Sequence, residues 1–163
     1  MSTQVLISQD SSAVEAWVRL LRGHAVTRRS LDAQLQGTHG LTVNDYEALL
    51  LLSRADGNHM RRVDLADGLQ LTASGVTRLL DGLEGQGLVA KSTCSSDARV
   101  TYAVLTDAGR TKLEEAASSH VTAIREVFEE RYTQDELASL TELLSRLPGA
   151  DVVEECAPPL ADG

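Results

Sequence analysis

Ser74, Thr77 and Arg78 fall within one short stretch, and Asp97-Ala98-Arg99 follows further along the chain. Residues four apart share a helix face, so Ser74 and Arg78 present a hydroxyl and a guanidinium side by side. An Arg can meet guanine with two hydrogen bonds, and a Ser or Thr hydroxyl can bond a base edge or a phosphate. Asp97 can hold Arg99 by a charge-assisted hydrogen bond. An Arg at the tip of a hairpin can enter a minor groove. This is chemistry of recognition rather than of bond breaking. No nucleophile–base pair, metal cluster or Gly-rich phosphate loop is apparent, so neither an enzyme nor a cofactor is expected. His24, His39, His59 and His120 show no ligand spacing with one another or with a Cys, and no metal is expected.

The elements that must position these groups are legible in outline. Thr72 is a good N-cap for a helix whose residues Val76, Leu79, Leu80 and Leu83 make one apolar face. The opposite face is then centred on Ser74, Arg78, Asp81 and Gly85, with Thr77 on its flank. Its N-terminus also favours a phosphate. Gln86-Gly87 with Leu88 after it is a C-terminal stop signal. Val89–Thr93 and Val100–Leu105 alternate as hairpin strands around a polar tip. Upstream, Thr42 with Asp45 caps a buried helix carrying Tyr46, Leu49, Leu50 and Leu52, ended by Asp56-Gly57. His59-Met60-Arg61 suits a short strand. Val63, Leu65, Ala66 and Leu69 suggest a two-turn helix.

Long helices flank this centre. Val14, Trp17, Leu21, His24, Arg28, Leu31 and Leu35 form one stripe, with Asp10, Ser11 and Ser12 as candidate N-caps and a break at Gly37 to Gly40. Thr106 caps a second long helix with Leu113, Ala117, His120, Val121, Ile124, Phe128 and Tyr132. Thr133 to Glu136 is a capping box for a last helix, which Pro148-Gly149 stops. These flanking stripes are too apolar to stand alone and predict pairing with each other and with a second copy about a two-fold axis. The expected fold is mainly α with a small β wing (α+β), a winged helix-turn-helix with N- and C-terminal dimerisation helices. Residues 11–36 and 106–147 form the dimerisation region, 41–105 the winged region, and 1–10 and 148–163 flexible tails.

The net charge of −9 speaks against nucleic acid at first sight, since phosphates attract Lys and Arg. The distribution alters that reading. Residues 111–163 carry 4 basic and 12 acidic groups, whereas residues 60–110 carry 6 of each. The central segment is neutral, with its acids expected on other faces than its bases, and affinity should lean on two copies of the site. No apolar run approaches membrane-spanning length, and residues 1–10 lack the pattern of a signal peptide. Cys94 and Cys156 form no framework, which fits a reducing compartment; a cytoplasmic location is expected.

From Val14 to Leu147 the chain resembles the MarR family of winged-helix transcription regulators. Asp97-x-Arg99 followed by Leu105-Thr106-x-x-Gly109 is similar to that family's wing-to-helix signature. Val63-Asp64-Leu65-Ala66 resembles its third helix, and the stretch from Ser74 to Val89 its recognition helix. Two positions depart from the pattern: Ala98 stands where an Arg is common, and Ala103 where a larger apolar residue is common. The resemblance implies a homodimer on a palindromic double-stranded DNA operator, with repression relieved by a small-molecule effector. It implies DNA contact by Ser74, Thr77, Arg78 and Arg99.

Family effectors bind between the dimerisation helices and the winged lobe. In this chain His24 and Arg28 interrupt the apolar stripe of the first helix, with Trp17 nearby, and could hold an anionic aromatic or carboxylate ligand. Alternatively Trp17 is core and Arg28 pairs with an acid of a partner subunit. Some relatives sense oxidants through a Cys in the first helix, and this first helix has none. Cys94 in the wing is open to oxidation or is an incidental exposed thiol. The competing function is a winged-helix protein-interaction module without specific DNA binding, which the acidic charge favours and the Arg78–Arg99 pair disfavours.

Overall fold

The computed structural model describes residues 12–150. The expected tails at 1–10 and beyond Ala150, with Cys156, lie outside the described residues. Helix α1 (Ser12–His39) leads to α2 (Val43–Arg54), a 3-10 turn (Asp56–Asn58) and strand β1 (His59–Arg61). Helices α3 (Arg62–Gly68) and α4 (Ala73–Gly85) follow, then the hairpin β2 (Val89–Thr93) and β3 (Thr101–Leu105). Helices α5 (Asp107–Glu129) and α6 (Gln134–Ser145) complete the order. The three strands form one antiparallel sheet in the order β1-β3-β2, with Ala103 opposite both Met60 and Lys91.

The core sits where α2, α3 and α4 meet the sheet and the inner parts of α1 and α5. Leu35, Leu41, Leu49, Leu52, Leu65, Val76, Leu80, Leu83 and Val89 are almost fully buried there. Each such side chain contributes roughly 1.5–3 kcal/mol by leaving water. On α4, Val76, Leu80 and Leu83 face inward as their spacing predicts, and Leu79 packs at the edge. The core thereby fixes which face of α4 looks outward.

The caps behave as local chemistry dictates. The Thr42 hydroxyl accepts from the Asp45 N–H at 3.1 Å while the Asp45 carboxylate accepts from the Thr42 N–H at 2.8 Å. Thr133 and Glu136 repeat this box on α6, and those bonds hold the Glu136 carboxyl below its ordinary range. Helix α4 ends in a two-bond stop. The Gly87 N–H donates to the Glu84 carbonyl and the Leu88 N–H to the Leu83 carbonyl, both at 2.9 Å. Gly87 takes φ +72°, which a side chain would strain.

Some boundaries differ from expectation. Helix α1 continues through Gly37 to His39, because one Gly inside a long amphipathic helix costs only about 1 kcal/mol. Gly40, at φ +69°, makes the actual stop. Val63 is 57% exposed, since the short α3 turns only Leu65 and Ala66 fully inward. Val100 closes the wing turn rather than opening β3, donating to the Asp97 carbonyl and accepting from Cys94. Helix α5 ends at Glu129, so Tyr132 belongs to the turn before α6.

The outer half of the flanking helices is bare. Trp17 is 59% exposed and Leu21 51% exposed on α1, and Leu143 is 56% exposed on α6. Helix α6 has no fully buried residue. Among the described residues no helix is long and apolar enough to cross a membrane.

Candidate nucleic-acid interface

Helix α4 and strand β2 of the wing are joined through residues 86–88, and Lys91 of β2 reaches back to Asp81 and Glu84 of α4. The joint is locked by the first turn of α5. Thr106 donates its hydroxyl to the Gly87 carbonyl at 2.7 Å, accepts from the Gly109 N–H at 3.0 Å, and donates its own N–H to the Leu88 carbonyl at 3.2 Å. A Cβ at Gly109 would stand 2.0 Å from the Leu88 carbonyl oxygen. Leu105-Thr106-x-x-Gly109 is thus the clasp that fixes the wing against the end of α4.

The N-terminal half of α4 gathers four of the expected residues. The Thr72 hydroxyl caps the helix by accepting from the Gly75 N–H at 3.1 Å, and it lies 3.2 Å from the Ser74 hydroxyl. Thr77 is half-buried and donates to the Ala73 carbonyl at 2.7 Å, so its proton is committed within the helix. Ser74 and Arg78 are exposed on the outward face. Arg78 forms no ion pair among the described residues. The first turn carries no acidic residue, which leaves the positive end of the helix dipole uncompensated.

At the wing tip the Asp97 carboxylate accepts from both the N–H of Arg99 at 3.0 Å and its Nε at 3.2 Å. The Arg99 side chain remains 93% exposed, so the pair fixes its base while the outer guanidinium nitrogens face water. Cys94 sits in the same loop with its Sγ 3.0 Å from the Ser96 hydroxyl. Hydrogen bonds from Ser96, and then from the Asp97 backbone, lower its thiol pKa.

Two cations that the sequence reading assigned no role stand beside this surface. Arg62, at the start of α3, donates to the Thr77 hydroxyl at 3.4 Å, a weak bond that leaves most of its guanidinium open. Its signal was the Arg61-Arg62 pair, of which Arg61 is engaged in a two-pronged bond to Asp64. Lys91 on β2 lies 2.5 Å from Asp81 and 3.0 Å from Glu84 on α4. Asp81 shares the outward face with Arg78, as helix periodicity predicts, so the separation of acids from bases expected across residues 60–110 fails on α4, where Lys91 answers the Asp81 charge.

Trp17, His24 and Arg28 are strung along α1 and do not converge within one chain. Eleven residues of helix separate Trp17 from Arg28, about 16 Å. His24 is exposed. Arg28 is half-buried against α2, donating to Asn44 Oδ1 at 2.5 Å and lying 3.9 Å from a Glu47 oxygen. Burial raises the Glu47 carboxyl pKa and Arg28 opposes the shift. Asn44 and Glu47 were missed in sequence because they lie on another helix with no local spacing to Arg28. Among the described residues no group of three His, Cys, Asp or Glu side chains could hold a metal ion.

Residues 39–100 match the sequence profile of the MarR family. The fold is similar to AbsC, a MarR family transcriptional regulator from Streptomyces coelicolor, at 32% identity and a TM-score of 0.72. That likeness covers 85% of this chain and 92% of AbsC. It is similar also to Sco3205, a MarR family regulator of the same organism whose crystal structure is of a complex with DNA. There the identity is 29%, the TM-score 0.73, and the coverage 91% of this chain and 90% of the other. The HTH-type transcriptional repressor YetL of Bacillus subtilis is 30% identical over 108 residues, 66% of this chain. That match spans 64% of YetL, just under two thirds of its length. With AbsC matched above 30% identity over most of both chains, and the winged helix-turn-helix laid out as above, this chain belongs to the MarR family of transcriptional regulators, which are not enzymes.

Proposed function

We propose that the protein is a homodimeric repressor of a palindromic operator, released from DNA by a small anionic ligand. The observation that carries the DNA-binding part is Arg78, unpaired among the described residues on the outward face of α4, together with Arg99 set at the wing tip by Asp97. In this reading the first turns of α4 enter the major groove, with Arg78 and Ser74 reaching base edges and Thr72 and Thr77 shaping the helix start. Arg99 reaches the adjacent minor groove. The bare apolar faces of α1 and α6 supply the dimer contact, which sets two recognition helices a helical turn apart. The Sco3205–DNA complex, at 29% identity, supports the same use of the fold.

The test is footprinting of the purified protein on the DNA upstream of its own gene, followed by binding of Arg78→Ala and Arg99→Ala. Arg78→Ala should lose about 1–3 kcal/mol of base discrimination. Arg99→Ala should weaken binding across sequences and flatten the salt dependence. Wild-type affinity in both variants would remove this surface from consideration.

A further inference from the structure

Asp81 is in the wrong place for a DNA-reading helix. It lies one turn beyond Arg78 on the outward face, with a side chain 56% exposed, and Glu84 follows it at 43% exposure. Two carboxylates carried toward a duplex meet a line of phosphates of the same sign. Helix α4 has no basic residue in its last turn to offset them. The only cation within ion-pair distance of either, among the described residues, comes from the wing. Lys91 stands in the middle of β2, opposite Ala103 of β3, and its ammonium reaches both acids. The ammonium donates to both carboxylates, and these hydrogen bonds raise its pKa above the ordinary lysine value, favouring the charged form.

Resting on the DNA-binding reading above, we infer that Lys91 is a positioning residue for recognition: it masks Asp81 and Glu84 so that the outward face of α4 can approach phosphates. The three groups together carry one negative charge with Lys91 present and two without it. An ammonium has three donors, and the acids engage two, so the third remains for water or a phosphate oxygen. Stabilising the fold is the weaker account of this cluster. Its members are exposed by a third to more than a half, and ion pairs of that kind add little to stability. Charge near a phosphate acts on binding directly, and it does so in both halves of a two-fold complex.

The experiment measures binding to a duplex selected by the wild-type protein from a random-sequence library, and to an unrelated duplex of equal length. Lys91→Met should weaken both about tenfold at roughly 0.1 M salt, about threefold for each unit charge in each half-site. The deficit should shrink as salt rises, because repulsion between exposed charges is screened. Its melting temperature should stay within a degree or two of wild type. The variant carrying both Lys91→Met and Asp81→Asn has the wild-type charge at this cluster without the clamp, and should return to within about threefold of wild-type affinity. An unaltered Lys91→Met, or a double variant as weak as Lys91→Met alone, overturns the inference. A wild-type protein that selects no duplex from the library and leaves the unrelated duplex unbound overturns the DNA-binding reading and this inference together, whereas the first two outcomes leave that reading intact.

Discussion

Asp97 grips Arg99 at two points, through the backbone N–H and through Nε, with a single carboxylate oxygen. The residue is held where it leaves the chain while the far side of its guanidinium is free. This arrangement lowers the conformational entropy that the wing must lose when it meets a duplex. Asp97→Ala should therefore weaken DNA binding about three- to tenfold with Arg99 still present. Surface pairs of this kind contribute about 0–1 kcal/mol to stability, so the melting temperature should barely move. Titration of a labelled operator by fluorescence anisotropy checks the first part and calorimetry the second. Equal affinity in Asp97→Ala and wild type would mean the tip needs no ordering.

Gly109 is held to its identity by backbone. Its missing Cβ faces the Leu88 carbonyl oxygen at 2.0 Å, an atom that cannot rotate away. Gly109→Ala should push the start of α5 off the wing and cost about 1–3 kcal/mol or more, as overpacking does. For a chain of this size that is a fall of roughly 2–4 °C in melting temperature for each kcal/mol. DNA binding should weaken as well, since the same turn of α5 sets the wing against α4. A variant that melts with the wild type would show that the clasp can slide.

Much of this arrangement is legible in the sequence. The face of α4 follows from Val76, Leu79, Leu80 and Leu83, of which Leu79 is only partly buried, because helical periodicity leaves no freedom once a core side is known. The caps at Thr42, Thr72, Thr106 and Thr133 are local chemistry and were found by local rules. What the sequence hid is what spans distance. Lys91 meets Asp81 only because the hairpin folds back along α4. Arg28 meets Asn44 and Glu47 only because α2 packs against α1. The break expected across Gly37 to Gly40 narrows to Gly40 for a different reason: a lone glycine such as Gly37 is a weak stop inside a long helix.

Leu21 on α1 and Leu143 on α6 are exposed in the protomer, so charges there should leave its fold intact. In the proposed dimer they are covered. Leu21→Asp combined with Leu143→Asp should sediment as a monomer at concentrations where the wild type is a dimer. Losing the second half-site removes an intramolecular binding event, so operator affinity should fall roughly 10²- to 10⁴-fold. A wild-type protein that sediments as a stable monomer at micromolar concentration would end the dimer proposal.

Arg28 faces Glu47 at 3.9 Å, so an anionic ligand at Arg28 competes with a carboxylate of the chain itself. Burial raises the Glu47 pKa, which eases its protonation as pH falls toward the carboxylate range. A salicylate-like or polycarboxylate compound should then bind more tightly at mildly acidic pH than at neutral pH. Binding should raise the melting temperature and loosen the operator by the same coupling, since a ligand acts through its preference between two states. Arg28→Ala should lose the thermal shift and keep DNA binding. A shift unchanged in Arg28→Ala would place the ligand elsewhere, and a variant that no longer dimerises would mark Arg28 as structural.

His120 is 6% exposed on α5, with its ring 4.6 Å from that of Tyr46 on α2. Its Nδ1 has no hydrogen-bond partner among the described residues. Burial lowers its pKa, and Asp32 on α1 opposes that shift. The neighbouring Ser119 hydroxyl bonds His39 of α1 at 2.7 Å, so a second imidazole lies on the same seam between helices. In the unfolded chain His120 takes up its proton near pH 6.5, and in the folded chain only at lower pH. Between those two points the unfolded state binds more protons, so folding stability falls as pH drops through that window. Above about pH 6.5 the imidazole is neutral in both states and contributes no slope. Melting temperature measured from about pH 7.5 down to pH 5 should therefore decline, and His120→Gln, which cannot titrate, should decline less. His120→Phe, which keeps a ring against Tyr46, separates titration from packing: its slope should match that of His120→Gln. Slopes equal to wild type in both variants would assign the acid sensitivity to other groups.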